Sequence, residues 1–225
     1  SLKTDIYITI NNEDYKYAQF NLLKKSPCYK INGVGLNLTN KHFKKKILNK
    51  KRIKRILVIA AYKKEKGYFE ILKLAQELKN KNLHIDCYGY GNYSRFNSIK
   101  IKKKINNISF NKFDFNLEKK IKKFDILLHL SKREGLPVSI MQSLSVGLPV
   151  ICYDIRGNND LIKDNFNGYF VRSYKDVPNK LYYLKLENAI FNKMRKYSFK
   201  SINRSFSNKI INTKIYSIIK THSNH

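Results

Sequence analysis

The sequence predicts an α/β protein built on a doubly wound parallel sheet. Short apolar runs of strand length alternate along most of the chain with longer segments of helical periodicity. The apolar runs, such as 55–61 and 125–130, are continuous rather than alternating, which is typical of strands buried on both faces. Strands that alternate with helices in this way pair in parallel, and the helices cover both faces of the sheet.

The first 32 residues predict a strand, a helix and a second strand. The apolar run 5–10 is of strand length, and the Asn, Asp and Glu residues at 11–14 are typical of a helix start. We expect this helix to reach Leu22 and Leu23. The segment 29–31 is the second short strand, and a glycine-containing turn follows it.

A regular pattern of strands and helices follows a basic segment, 41–55, which we interpret as a connection or surface helix. We place the boundary between the two units near 33–42. The predicted strands of the second unit are 55–61, 83–88, 107–110, 125–130, 149–152 and 168–171. The predicted helices are 69–78, 117–124, 138–146 and 159–163, followed by two or three polar helices within 175–220.

The composition indicates a folded and strongly basic protein. The 46 Lys and Arg residues outnumber the 16 Asp and Glu residues, which gives a net charge of +30. Three alternatives fit this charge: a solvated lysine-rich surface, attraction to an anionic membrane, or nucleic-acid binding. The cysteines Cys28, Cys87 and Cys152 are far apart in sequence, so we expect reduced thiols in a cytoplasmic protein. We find no export signal and no apolar stretch of transmembrane length.

The loops that follow the strands are the candidate sites, because ligands of doubly wound sheets bind beyond the carboxyl ends of the strands. Gly67 permits a tight turn into a helix whose free amides attract anions, and Lys66 adds a positive charge. A solvated lysine loop is the alternative. Gly89 and Gly91 follow the next strand and would let a ligand approach the backbone, although a plain turn explains them equally well.

The strongest candidate is the loop before the helix that starts near Pro137. Proline suits a first helical turn, so the amides around 135–139 are expected to be unpaired and able to bind a diphosphate. Glu134 would repel phosphate and is better suited to accept hydrogen bonds from sugar hydroxyls. Gln142 lies one turn after Val138 on the same helix face. The alternative is an ordinary helix cap in a surface loop.

No metal site is predicted. No Asp-x-Asp pair occurs, and no cluster of His, Cys and Asp has the spacing of metal ligands. The charge of a bound diphosphate would therefore be met by Lys, Arg and helix N-termini. His84 and His129 lie within predicted strands, where we expect their side chains to be satisfied inside the sheet.

Several of these motifs together resemble the signature of family 4 retaining glycosyltransferases, which have the GT-B architecture. The resemblance covers about residues 1–172. Its elements are the segment 125–131 with Glu134-Gly135-Leu136-Pro137, Gly147-Leu148-Pro149-Val150, Lys66-Gly67, Gly89-x-Gly91, Arg156-Gly157-Asn158-Asn159-Asp160 and Asn167-Gly168. The Arg-Gly-Asn-x-Asp element is similar to the capsular and exopolysaccharide branch.

The resemblance implies a domain organisation. Residues 1–32 would be the end of an acceptor-side domain that is otherwise absent, 33–205 a Rossmann-like nucleotide-sugar-binding domain, and 206–225 a C-terminal helix and tail. We therefore expect the chain to be inactive without the missing half. A separate subunit is one way to supply it.

The resemblance also implies roles for individual residues. Glu134 would be the catalytic residue and contact the donor sugar, and Lys66 would hold the diphosphate. The other donor-binding residues would be Gly67, Gly89, Gly91, Arg133, Gly135, Leu136, Pro137, Val138 and Gln142. Three positions depart from the family pattern: Ala61 replaces an Arg, Lys112 replaces a Gly, and Gln142 replaces a Glu.

The implied activity is transfer of a hexose or N-acetylhexosamine, with retention, in cell-surface polysaccharide synthesis. The donor is expected to be UDP-linked and the acceptor a glycan or a polyprenyl-linked sugar, with no metal and no other cofactor. We therefore expect the protein in the cytoplasm, at the inner face of the cell membrane, where anionic lipid would attract its positive charge. Ala61 and Gln142 favour an alternative, a non-catalytic nucleotide-binding or partner-binding half of a degenerate or split enzyme. Charge alone supports nucleic-acid binding, which we do not expect.

Overall fold

The computed structural model describes residues 6–21, 26–37, 53–203 and 205–222, and these residues form two parallel sheets. The small sheet pairs β1 (Tyr7–Thr9) with β2 (Cys28–Lys30), and α1 (Asn12–Asn21) connects them. The strands of the large sheet are β3 (Arg55–Ile59), β4 (His84–Gly89), β5 (Ile108–Lys112), β6 (Ile126–His129), β7 (Val150–Tyr153) and β8 (Gly168–Val171). All six run parallel, which confirms the predicted fold class.

Helices connect the strands of the large sheet and continue after it. They are α2 (Tyr68–Glu77), α3 (Ser94–Lys102), α4 (Leu117–Ile121), α5 (Val138–Ser145), α6 (Asn158–Leu161), α7 (Val177–Leu186), α8 (Asn188–Asn203) and α9 (Asn208–His222). Two short 3₁₀ segments, Lys64–Lys66 and Tyr174–Asp176, precede α2 and α7. In the described part of the chain, none of the helices has both the length and the hydrophobicity needed to cross a bilayer.

The strands of the large sheet lie in the order β5-β4-β3-β6-β7-β8. From β3 the chain adds β4 and β5 on one side and then β6, β7 and β8 on the other, so the direction in which strands are added reverses between β3 and β6. Successive side chains of β3 pack into different cores: Ile56 into the one that contains Ile71 of α2, and Leu57 into the one that contains Ile140 of α5. Burial on both faces explains why the strand is apolar at every position after Arg55. The loops after β3 and β6 leave the sheet side by side at this reversal, where doubly wound sheets bind ligands.

Most predicted elements lie within a few residues of their observed bounds. The predicted start of α1 is confirmed, because the Asn11 side chain accepts a hydrogen bond from the Asp14 amide at 2.8 Å. Leu22, Leu23 and most of the basic segment 41–55 lie outside the described residues. Sequence patterning does not predict α3. Only Phe96 of this helix is buried, so its periodicity is too weak to detect.

The last helix packs against the small sheet. Ile211 and Ile218 of α9 form a buried cluster with Ile31, which directly follows β2. A bridge between Leu36 and Ser207 also links the two regions. The first and last segments of the described chain therefore pack against each other. The domain boundaries at 32/33 and 205/206 stay predictions.

Candidate functional site

Two loops meet at the reversal of the strand order and bring Lys66 to Glu134. Lys66 ends the 3₁₀ segment after β3, and Glu134 lies in the loop after β6. The Lys66 ammonium donates to the Glu134 carboxylate at 2.7 Å and contacts the Arg133 carbonyl oxygen at 3.3 Å. The Lys132 amide also donates to the Glu65 carbonyl at 2.9 Å, so backbone and side chains both hold the loops together.

Gly67 allows this close approach of the two loops. Its φ of +79° lies in the left-handed region, and a Cβ atom there would be 2.2 Å from the Leu130 carbonyl oxygen. Only glycine fits this conformation at this distance. The loop after β3 therefore lies directly on the end of β6, which places the neighbouring Lys66 beside Glu134.

Glu134 is held as a carboxylate. Burial favours the neutral acid and raises its pKa, but His129 and Lys66 together outweigh this effect and lower the pKa to about 2 from an ordinary value of 4.5. The ionised group accepts hydrogen bonds and cannot donate a proton at neutral pH. This agrees with the predicted role, in which the carboxylate accepts hydrogen bonds from sugar hydroxyls.

His129 is a member of the site that sequence reasoning missed. It is the last residue of β6 and only 4% exposed, and its Nε2 lies 3.1 Å from the Glu134 carboxylate without the geometry of a regular hydrogen bond. The prediction that it is satisfied inside the sheet is therefore wrong. The same prediction is confirmed for His84, whose Nε2 lies 2.8 Å from the Ser109 hydroxyl of the adjacent strand.

The start of α5 supplies free amides beside the Lys66–Glu134 pair. The Pro137 carbonyl accepts from the amides of Ile140 and Met141, so the amides of 138 and 139 belong to the first turn and lack an intrahelical partner. The helix begins at Val138, as predicted, and Pro137 is its N-cap rather than a residue of the first turn. Within the described residues, the amides of Gly135 and Leu136 also donate no hydrogen bond. The edge of the sheet therefore combines one cation with a row of amide donors.

The two glycines at the end of β4, Gly89 and Gly91, have structural reasons that need no ligand. A Cβ atom on Gly89 would lie 1.9 Å from the Ala60 carbonyl oxygen, so β3 and β4 require glycine there. Gly91 has a φ of +96°, which suits a turn. Their role in donor binding stays a prediction.

The remaining candidates lie around the same loop and helix. The side chains of Arg133 and Val138 are exposed, and Gln142 is half-buried one turn further along α5. The Leu136 side chain packs in the core, which leaves only its backbone for a ligand. Lys112, at the end of β5, is exposed and pairs with Gly89.

A metal-free site stays a prediction. Within the described ranges, no group of three or more His, Cys, Asp or Glu side chains is placed to hold a metal ion. Lys66 supplies the positive charge that contacts the Glu134 carboxylate.

The sequence and the fold agree with a known protein family. The model of the family described as "Glycosyl transferases group 1" matches residues 39–200. The chain belongs to this family. The predicted family is thereby confirmed, and the matched range includes the Lys66 and Glu134 loops described above.

Individual glycosyltransferases show the same relationship. The chain is 26% identical to the putative glycosyltransferase EpsD of Bacillus subtilis (strain 168) over 76% of its own length and 49% of that protein. It is 31% identical to the GtfA subunit of the Streptococcus agalactiae UDP-N-acetylglucosamine–peptide N-acetylglucosaminyltransferase, over 57% of its length and 28% of that protein. The crystal structure of the pneumococcal O-GlcNAc transferase GtfA with UDP and GlcNAc has a similar fold (TM-score 0.79, 21% identity, 99% of this chain and 46% of that chain). The chain thus spans about half or less of each of these proteins.

Proposed function

We propose that this chain is the donor-binding half of a retaining glycosyltransferase that transfers a hexose or N-acetylhexosamine from a UDP-sugar. The observation that carries this proposal is the Lys66–Glu134 pair beside the free amides at the start of α5. UDP is the proposed nucleotide because the pneumococcal structure contains UDP, and the Streptococcus agalactiae relative is named for a UDP-linked donor.

In this function the two side chains have complementary tasks. The diphosphate attracts the Lys66 ammonium and the backbone amides of 135, 136, 138 and 139, which together disperse the charge that develops on the leaving group. Glu134 then faces the sugar, where its carboxylate accepts hydrogen bonds from hydroxyl groups. Lys66 lies 2.7 Å from Glu134 in the absence of ligand. When the nucleotide sugar binds, Lys66 exchanges its contact with Glu134 for one with the diphosphate, and Glu134 exchanges its contact with Lys66 for one with the sugar.

The acceptor and its location are further parts of the proposal. A glycan or polyprenyl-linked acceptor at the cytoplasmic membrane face suits the net charge of +30, since anionic lipid attracts basic surfaces. The region that the longer relatives contain beyond this chain would supply the acceptor side of the cleft. A partner subunit is a second source, because the Streptococcus agalactiae relative is itself a subunit.

A non-catalytic nucleotide-binding or partner-binding half is the second candidate function. Ala61 and Gln142 favour it, because both positions lack the charged residue of the family pattern. Calorimetric titration of the wild-type chain with UDP, GDP and UDP-N-acetylglucosamine tests the donor-binding role common to both. Saturable binding of UDP ligands in preference to GDP supports it, and a folded chain that binds none of the three contradicts it. Measurement of turnover after the acceptor side of the cleft has been supplied separates the two candidates.

The variant Glu134→Gln should separate recognition of the sugar from recognition of the diphosphate. We expect the affinity for UDP-N-acetylglucosamine to fall about tenfold, because a neutral amide is a weaker acceptor for sugar hydroxyls. Affinity for UDP should stay equal or increase, since a negative charge next to the phosphates is removed. Titration calorimetry with both ligands measures the difference. Glu65→Gln, on the exposed part of the opposite loop, is the matched control. Equal losses for both ligands would contradict the sugar-binding role.

A further inference from the structure

A polar network connects α1 of the small sheet to the backbone of the Glu134 loop. Arg156, which follows β7, donates through Nε to the Glu134 carbonyl at 3.1 Å and through Nη1 to the Asp14 carboxylate at 2.7 Å. The guanidinium thus joins α1 to the peptide next to the candidate catalytic residue. It contacts the backbone of Glu134, while Lys66 contacts its side chain.

Asn11 completes the network from the same end of α1. Its side chain is fully buried, and its amide group donates to Asp14 at 2.7 Å and to the Gly135 carbonyl at 3.2 Å. Its oxygen accepts from the Asp14 amide, so the surrounding groups determine the orientation of the side-chain amide. Two successive carbonyls, those of Glu134 and Gly135, are therefore held by Arg156 and Asn11.

Gly157 holds the same peptide by close packing. A Cβ atom at this position would lie 2.1 Å from the Gly135 carbonyl oxygen, 2.7 Å from its carbon and 3.3 Å from the Leu136 nitrogen. The oxygen side of the peptide therefore faces Gly157, and the nitrogen side lies further away.

The network determines the direction of two amide groups. In a trans peptide the N–H points opposite to the C=O. Because both carbonyls point into the network, the amides of Gly135 and Leu136 point out of it, and neither has a partner among the described residues. Left free in solution, such a glycine-containing loop would sample other orientations.

We propose that Asp14 and Arg156 are positioning residues that direct these amides toward the donor diphosphate and sugar. This inference rests on the proposed donor-binding function. It gives the N-terminal unit a part in donor binding, although that unit was expected to belong to the acceptor side. Asp14 and Arg156 are 41% and 33% exposed, and ion pairs as exposed as this one add little to stability. Their main effect is therefore on the geometry of the loop.

A second ion pair provides a matched control. Lys30 contacts Asp160 at 3.1 Å, which also joins the small sheet to the segment after β7. Lys30 also donates to the Asn12 side chain at 2.6 Å, and the Asn12 amide donates to Asp160 at 2.9 Å. None of these groups contacts the backbone of Glu134 or Gly135. Removal of Lys30 therefore weakens the junction and lowers the net charge without releasing the loop.

The test compares Arg156→Met, Asp14→Asn and Lys30→Met in the full chain, with calorimetric titrations of UDP-N-acetylglucosamine and UMP. We expect Arg156→Met to weaken UDP-N-acetylglucosamine about tenfold, and Asp14→Asn to weaken it several-fold. UMP lacks the sugar and one phosphate, so its affinity should change less than about twofold. Lys30→Met should match the wild type for both ligands. If Arg156→Met does not fold, Arg156→Lys replaces it, since lysine keeps the charge but cannot reach both acceptors.

The sign of the Asp14→Asn effect separates positioning from simple charge attraction. Removal of a negative charge should leave the binding of an anion unchanged or make it tighter, whereas loss of positioning should weaken it. Unchanged or tighter binding by Asp14→Asn overturns the inference, and so does equal weakening by Lys30→Met. If the wild-type chain and the variants bind UDP-N-acetylglucosamine equally well, the inference is overturned and the proposed function is not. A wild-type chain that binds no UDP ligand removes the proposed function as well.

Discussion

Lys66→Met is expected to weaken binding of UDP-N-acetylglucosamine about one hundredfold, or about 2.7 kcal/mol. The substitution keeps most of the length and volume of the side chain and removes only its ammonium. Lys66 is the cation that the structure places at the start of α5, 2.7 Å from Glu134. A charge-assisted hydrogen bond to phosphate contributes about 1.5–3 kcal/mol, which is most of the expected loss.

A second effect acts in the same direction. With Lys66 removed, the Glu134 carboxylate loses its nearest cation and keeps His129 and the Ser131 side chain as nearby partners. Its negative charge is then less compensated and repels the diphosphate across a partly buried site, where solvent screens charges weakly. Loss of attraction and gain of repulsion together explain why this variant should have a larger effect than Glu134→Gln.

Lys64→Met is the matched control for this prediction. Lys64 lies in the same 3₁₀ segment, carries the same charge and is exposed. Titration of both variants with UDP and UDP-N-acetylglucosamine separates a local contact from the general attraction of a chain with a net charge of +30. Similar losses of affinity in both variants would show that Lys66 contributes only to the general electrostatic attraction of anions by the whole protein.

The large sheet was predictable because its signal is local. The segments 56–59 and 126–128 are continuous apolar runs, and the packing of β3 into two cores shows the cause. The strand–loop–helix pattern also placed Lys66 and Glu134 at the carboxyl ends of strands. Helix α3 lacks a comparable signal, because Phe96 is the only buried residue of this helix.

Contacts between distant segments could not be predicted in this way. The sequence indicated two separate loops, and only the pairing of β3 with β6 shows that Lys66 meets Glu134. His129 carries no local sign that its ring faces a carboxylate five positions later. The Arg156–Asp14 contact depends on where the small sheet lies against the large one, which residue spacing does not encode.

Gly67→Ala is expected to lower the free energy of unfolding by about 3 kcal/mol or more. The φ of +79° costs an L-residue about 1–2 kcal/mol, and the new Cβ would lie 2.2 Å from the Leu130 carbonyl oxygen. That oxygen belongs to the backbone at the end of β6 and cannot rotate away as a side chain can. Domains of this size are stable by about 5–15 kcal/mol, so the variant should lose a large part of its stability.

Gly135→Ala is the control, because the same change in residue type meets neither obstacle. Gly135 lies outside the left-handed region, and the nearest atom to its new Cβ would be Ile10 Cδ1 at 3.6 Å, an ordinary contact. Its unfolding free energy should stay within about 1 kcal/mol of the wild type. Urea denaturation followed by circular dichroism measures both variants, since the chain has 16 Tyr but no Trp for fluorescence.

The comparison also tests how Lys66 is positioned. If Gly67→Ala were as stable as Gly135→Ala, the loop after β3 would have to move away from Leu130 at little cost. Lys66, the residue directly before Gly67, would then shift away from Glu134, and UDP-N-acetylglucosamine binding should fall while stability is unchanged. Unchanged stability together with unchanged binding would contradict the conclusion that close packing of Gly67 on β6 brings the two charged residues together.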